Sequence, residues 1–141
     1  MAQECCAPDG NIMILACSGG SNVGLLSNQA AVELTQENFG KMFCLAGIGG
    51  HLSGFVQSAK DAPQIVVIDG CEIGCAKAIM EQAGLPMRGY LALTDLGIKK
   101  NKDFNLRSED IRKVKEAVRK CCQSSDLPID KGQKDLGSCC G

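Results

Sequence analysis

Histidine, aromatic residues and long apolar runs are all scarce in this chain of 141 residues, which has one His, no Trp, one Tyr and four Phe. A single His leaves little room for histidine ligation, so a first-row metal site here would be rich in sulfur. No apolar run approaches the roughly 20 residues that span a bilayer, and residues 1–10 lack the basic and apolar segments of a signal peptide. We therefore expect a cytoplasmic protein with no membrane partner.

The net charge is also small. Fifteen Lys and Arg residues against 16 Asp and Glu residues give a formal net charge of −1 at pH 7. The chain therefore lacks the basic field that attracts phosphates, and nucleic acid is not expected as a partner. Its length suits one compact domain, while the sequence names neither a protein partner nor an oligomeric state.

Cysteine, by contrast, is abundant, with ten residues in the chain. In a short exported protein this number would indicate a disulfide scaffold, but we find no export signal, and the apolar pattern described next can supply a core. In a reducing compartment the alternatives are metal binding, redox chemistry and inert burial. The positions of the cysteines relative to the predicted strands favour metal binding among these alternatives.

The apolar pattern predicts strands that alternate with helices. Continuous apolar runs predict strands over residues 11–17, 41–45, 64–69 and 90–94. A last amphipathic helix is predicted from Ser108, with an apolar stripe at Ile111, Val114, Val118 and Cys121. This alternation predicts an α/β fold: a single small three-layer domain, Rossmann- or flavodoxin-like, with a mostly parallel four-stranded sheet in the order 2-1-3-4. The domain is expected over 11–122, between a flexible N-terminus (1–10) and a flexible cysteine-containing tail (123–141).

Four cysteines fall at one edge of this predicted sheet. Cys17 and Cys71 follow the first and third strands, Cys44 lies in the second, and Cys75 falls in the first turn of the helix after Cys71. Three neighbouring strand ends span roughly 10 Å, whereas sulfurs around a tetrahedral zinc lie about 3.8 Å apart, a difference that side chains and loops can close. We predict that these four cysteines bind a metal, with zinc first.

Glycine-rich loops follow two of these cysteines and supply a predicted outer layer of the site. Helix N-termini aimed at the same edge would stabilise the charge of −2 that four thiolates leave on zinc. Glycine lets backbone amides approach sulfur closely. The residues predicted to approach the bound group are Ser18, Gly19, Gly20, Gly49 and Gly50.

Three segments resemble the DGC-domain family, which takes its name from a central Asp-Gly-Cys. They are Ala16 to Gly24 (ACSGGSNVG), Cys44 to Gly50 (CLAGIGG) and Asp69 to Lys77 (DGCEIGCAK), and Leu96 to Asn101 (LGIKKN) extends the match. The resemblance implies a zinc-binding protein of unknown biochemical function, with its four cysteines at Cys17, Cys44, Cys71 and Cys75. The pairs Cys5-Cys6, Cys121-Cys122 and Cys139-Cys140 lie outside the resemblance, and their roles stay open.

Two other chemistries compete for the same thiols. In a redox or sulfur-transfer enzyme, Cys71 or Cys75 at a helix N-terminus would attack while another cysteine resolves. Four cysteines also suffice for an iron–sulfur cluster. We expect a metal-binding, sensing or transfer module rather than an enzyme, because four protein thiolates close the coordination sphere of zinc.

The remaining polar signals are weaker. Ser18 to Asn22 resembles the SGGxDS loop of ATP pyrophosphatases, but Asn22 and Val23 stand where that loop has Asp and Ser. Val23 also stands where a phosphatase-like cysteine loop would need its phosphate-binding Arg. His51 is expected to cap a helix or face solvent, and Asp69 and Asp95 to bond loop amides.

Overall fold

The protein is described by a computed structural model over residues 11–123. The strands are β1 (Ile12–Ala16), β2 (Lys41–Met42), β3 (Gln64–Asp69) and β4 (Gly89–Ala92). The helices are α1 (Asn22–Gln36), α2 (Leu45–Gly49), α3 (Ser53–Asp61), α4 (Cys75–Ala83) and α5 (Ser108–Gln123). All strand pairs are parallel and their order is β2-β1-β3-β4, which confirms the predicted α/β fold. The two predicted flexible ends lie outside the described residues, apart from Gln123.

The two central strands form the core because both of their faces are covered. β1 and β3 pair in register from Ile12 opposite Gln64 to Ala16 opposite Ile68. Alternate residues of a strand point to opposite faces, so Ile14 packs with α1 and α5 while Leu15 packs with α2, α3 and α4. Continuous burial of this kind is what the unbroken apolar runs indicated.

The backbones of the β1–α1 turn, α1 and the end of β3 approach one another closely. A Cβ at Gly24 would lie 2.6 Å from the backbone of Gly19, and one at Gly70 would lie 2.8 Å from the carbonyl carbon of Val23. Ser21 caps α1 by accepting a hydrogen bond of 3.3 Å from the Gly24 amide. The close backbone approaches at Gly24 and Gly70 bring the loops after β1 and β3 together at the carboxyl edge of the sheet.

Two strands, β2 and β4, end two or three residues before the predicted position. β2 has two residues, because the chain turns into α2 immediately after Cys44, which is the N-cap of that helix and not a strand residue. β4 ends at Ala92, and a 3-10 helix covers Leu93–Leu96. In both places a local cap or turn ends an apolar run that would otherwise continue as a strand.

The buried stripe of α5 differs from the predicted one by a single residue. Val114, Val118 and Cys122 are buried, whereas Cys121 is half-buried beside Gly89 of the outer strand β4. The spacing of four residues selects Cys122 for the core. No helix within residues 11–123 is long and apolar enough to cross a membrane.

Ion pairs connect α1 to α5 on the outer surface. Lys115 Nζ lies 3.0 Å from Glu33 and 2.7 Å from Glu37, and Arg119 lies 2.7 Å from Glu37. The hydrogen bond from Lys115, followed by that from Arg119, lowers the pKa of Glu37. Exposed pairs of this kind contribute about 1 kcal/mol or less each, so the apolar contacts dominate the packing of α5.

Candidate functional site

The four predicted cysteines lie along the carboxyl edge of the sheet, and we call this set the cysteine edge. Cys17 directly follows β1, Cys44 precedes α2, Cys71 lies two residues beyond the end of β3, and Cys75 is the first residue of α4. In the strand order β2-β1-β3 the loop that carries Cys17 lies between the other two. All four are free thiols.

Cys17, at the centre of this edge, is half-buried. The backbone amides of Gly19 and Gly70 donate to its sulfur and favour the thiolate, but burial outweighs them and raises the pKa of the thiol. The negative charges of Asp69 and Cys75 raise it further. Cys17 and Cys75 are therefore close enough to influence each other electrostatically.

Cys44 is exposed and caps α2 with its own sulfur. The amide of Gly47 donates to Cys44 Sγ at 3.3 Å. Gly47 is required for the packing of this loop, since a Cβ at this position would lie 2.6 Å from the ring of Phe55. The sulfur of Cys44 therefore has a structural role as the N-terminal cap of α2.

The loop between β3 and α4, which carries Cys71 and Cys75, is fixed by Asp69. This carboxylate is 1% exposed and accepts hydrogen bonds from the amides of Ala76 at 2.8 Å and Lys77 at 3.0 Å, and from Tyr90 Oη at 2.9 Å. The loop-capping role predicted for Asp69 is thus present. Burial, and then the bond to Asp69, raises the pKa of the Tyr90 hydroxyl, which therefore stays a donor. Gly74 completes the turn in the left-handed region, with φ 69°.

Lys100 also lies at the cysteine edge, and its ammonium donates to Cys71 Sγ at 3.4 Å. Its segment is held by what we call the Asn22 bridge: Asn22 Nδ2 donates to Lys99 O at 2.8 Å, Asn101 N donates to Asn22 Oδ1 at 2.6 Å, and Asn22 N donates to Asn101 O at 3.0 Å. Lys102 Nζ adds a bond of 2.6 Å to Gly20 O. The sequence analysis included Lys100 only within the segment that extends the family resemblance and gave it no role.

The glycines predicted to surround the site have different positions. Gly19 approaches Cys17 Sγ, with 3.6 Å between the sulfur and an ideal Cβ at that glycine. Gly49 packs near Ile79 of α4, and Gly50 is the C-cap of α2, with its amide bonded to Ala46 O. His51 follows in an exposed turn with φ 57°.

The thiols suit zinc by their chemistry, because thiolate sulfur is a preferred zinc ligand. Their arrangement does not yet form a coordination site: within residues 11–123 no group of three or more His, Cys, Asp or Glu side chains is arranged to hold a metal ion. Ligation by all four cysteines therefore requires movement of the loops that carry them.

Fold and site together define a small α/β protein with a thiol-lined carboxyl edge. The sequence profile of the DGC domain matches residues 13–118, and the chain belongs to the DGC domain family. It is also 30% identical over 102 residues to the anaerobic and virulence modulator AnvM of Pseudomonas aeruginosa, a match that covers 72% of this chain and 78% of AnvM. No solved structure matches the chain.

Proposed function

We propose that this chain is a regulatory module that senses or transfers a thiol-binding metal ion, zinc first, through Cys17, Cys44, Cys71 and Cys75. The observation that carries the proposal is the position of four thiols, from four separate places in the chain, along one edge of the sheet. A regulatory role accords with the relative AnvM, whose name describes a modulator.

The surroundings of the sulfurs support this function. Amides of Gly19 and Gly70 face Cys17, the amide of Gly47 faces Cys44, and an ammonium faces Cys71. Donors aimed at sulfur stabilise negative charge, which four thiolates on a divalent ion would leave in excess. Such donors are more useful to a ligand-holding site than to cysteines that are only buried.

Metal binding would require the cysteine edge to close. Tetrahedral sulfurs lie about 3.8 Å apart, whereas the ends of three adjacent strands span roughly 10 Å. Cys44 would have to approach from the outermost strand, and its sulfur would have to share or lose the Gly47 amide. A site that must close to bind its ion suits a sensor, because occupancy then changes the surface of the protein.

Zinc stoichiometry and affinity test the proposal. The reduced full chain should bind one zinc ion, and each of Cys17→Ser, Cys44→Ser, Cys71→Ser and Cys75→Ser should weaken binding by roughly 10-fold or more, because a hydroxyl is a poor substitute for a thiolate. Competition against a chromophoric chelator measures the affinity. Cys121→Ser, in a half-buried cysteine of α5 that packs beside Gly89 of β4, is the matched control and should bind as wild type does.

Equal zinc affinity in wild type and all four edge variants would contradict the proposal. An absorbance band in protein isolated without oxygen would instead indicate an iron–sulfur cluster. A thiol redox or sulfur-transfer enzyme is the second candidate, and the contact between Lys100 and Cys71 favours it. That function predicts unequal variants: one attacking cysteine is essential, and replacing its resolving partner traps mixed disulfides.

A further inference from the structure

Cys71 differs from Cys17 and Cys44 at the cysteine edge because a full positive charge faces its sulfur. Lys100 Nζ lies 3.4 Å from Cys71 Sγ, whereas the donors at Cys44 and Cys17 are neutral backbone amides. Cys71 is partly exposed and Lys100 is exposed, so a small molecule can reach both groups at once.

The backbone on both sides of Lys100 is fixed. The Asn22 bridge holds the preceding residue through its carbonyl and the following residue through both its amide and its carbonyl. Lys102 then bonds Gly20 O at 2.6 Å, which ties the same segment to the loop after β1. The ammonium is therefore directed to the cysteine edge by the fold.

We propose that Cys71 is a modification site at which small anionic disulfides react, and that Lys100 selects them by their negative charge. The Cys71 thiolate attacks one sulfur of the disulfide, the S–S bond of the reagent breaks, and a new S–S bond joins Cys71 to half of the reagent. The other half leaves as a thiolate and takes up the proton that Cys71 gave up. The disulfide is the only oxidant, and no other reactant is needed.

Electrostatics favour an anionic reagent at Cys71 over Cys17 and Cys44. A carboxylate that approaches Cys71 comes within a few ångströms of Lys100, where a unit charge at a protein surface changes a rate by roughly three- to tenfold. Glu72, the nearest acidic neighbour in the chain, has its carboxylate within 3.4 Å of Thr94 Oγ1, on the β4 side of the loop. The effect should decline at high salt, because screening shortens the range of the charge.

The inference deepens the proposed function, since it concerns the same edge, but its test uses reduced, chelator-treated full chain and does not depend on zinc binding. Iodoacetate and iodoacetamide differ in charge and attack the same thiolate, so the ratio of their rates at one cysteine cancels the fraction of thiolate. Peptide mass spectrometry gives this ratio for Cys71 and Cys44. In wild type it should be roughly three- to tenfold higher at Cys71.

Lys100→Gln should lower the ratio at Cys71 to that at Cys44, and Lys99→Gln should leave it within about twofold. Lys99 is the matched control: it is the adjacent exposed lysine, and it lines the cavity beside Asn105 and Arg107.

The disulfide itself is tested with anionic dithiodipropionate against cationic cystamine, and the anionic reagent should modify Cys71 first. Equal ratios at Cys71 and Cys44 in wild type, an unchanged ratio in Lys100→Gln, or an equal loss in Lys99→Gln would each overturn the proposal.

Discussion

Two loops at the same edge of the sheet hold their cysteines in different ways. The loop between β3 and α4 is held by the buried Asp69, whose carboxylate accepts hydrogen bonds from two amides of α4 and from the Tyr90 hydroxyl. Among residues 11–123 no carboxylate supports the loop between β2 and α2 in this way, and the sulfur of Cys44 itself caps the helix. Cys71 and Cys75 are thus positioned by other residues, whereas Cys44 takes part in holding its own loop.

This difference has a consequence for ligand binding. A ligand at Cys71 or Cys75 leaves the hydrogen bonds of Asp69 in place, but a ligand at Cys44 competes with the Gly47 amide for the same sulfur. β2 is also only two residues long and lies at the outer edge of the sheet. If the edge closes around a metal ion as proposed, the β2–α2 loop is therefore the part that should move, while the β3–α4 loop keeps its position.

Loss of Asp69 should have the largest effect. Asp69→Ala leaves two amides and the part-buried hydroxyl of Tyr90 without their acceptor, and it should lower the free energy of unfolding by about 3–5 kcal/mol. Asp69→Asn keeps one acceptor oxygen and should lose less. Urea unfolding measures both, with the exposed Asp95→Ala as a control that should stay within about 0.5 kcal/mol of wild type. If Asp69→Ala lowers the free energy of unfolding by less than about 1 kcal/mol, the hydrogen bonds to Asp69 do not hold this loop in place.

A methyl group at Gly47 should have an intermediate effect on the other loop. Its Cβ would lie 2.6 Å from the Phe55 ring, so Gly47→Ala should cost about 1–3 kcal/mol as α2 and α3 separate. Gly54→Ala is the control within α3, where a Cβ meets nothing within 4 Å, and it should stabilise the protein by about 0.5–1 kcal/mol. Thermal unfolding of the two variants should therefore shift in opposite directions. Shifts of the same sign would show that the loop adjusts without strain.

The smallest effect concerns the sulfur cap. Cys44→Ala removes the acceptor of the Gly47 amide and should cost about 0.5–1 kcal/mol, whereas Cys44→Ser supplies a good capping oxygen and should match wild type within about 0.5 kcal/mol. Chemical denaturation of metal-free protein separates the two. If Ser destabilises as much as Ala, the sulfur is not acting as a cap, and the contrast between the loops is lost.

Much of the fold followed from the sequence because burial leaves a strong pattern. β3 has four apolar residues in succession, and each is buried in a sheet covered on both faces. The predicted end of β2 was wrong. Cysteine is not among the residues that usually cap helices, so Cys44 did not indicate the start of a helix. The choice of Cys121 over Cys122 failed because the two adjacent thiols look alike until the rotation of α5 is fixed by packing.

The site was predictable only in its outline. Topology placed all four cysteines, Cys44 included, at one edge, since parallel strands end together, whereas zinc binding stays a prediction. Lys100 had no local signal. It contacts a sulfur 29 positions away, through a bridge whose partners are 77 and 79 positions apart, and such contacts exist only once the chain has folded.

The residues joined by the Asn22 bridge are far apart in the sequence, and this separation also has a consequence for the synthesis of the chain. A ribosome adds about 5–20 residues per second, so every edge cysteine emerges seconds before the segment that carries Lys100. In the growing chain Asn22 has no partner, and the thiols lack the cation that distinguishes Cys71 from the rest. Any selection among them by charge therefore begins only when translation has passed Asn101.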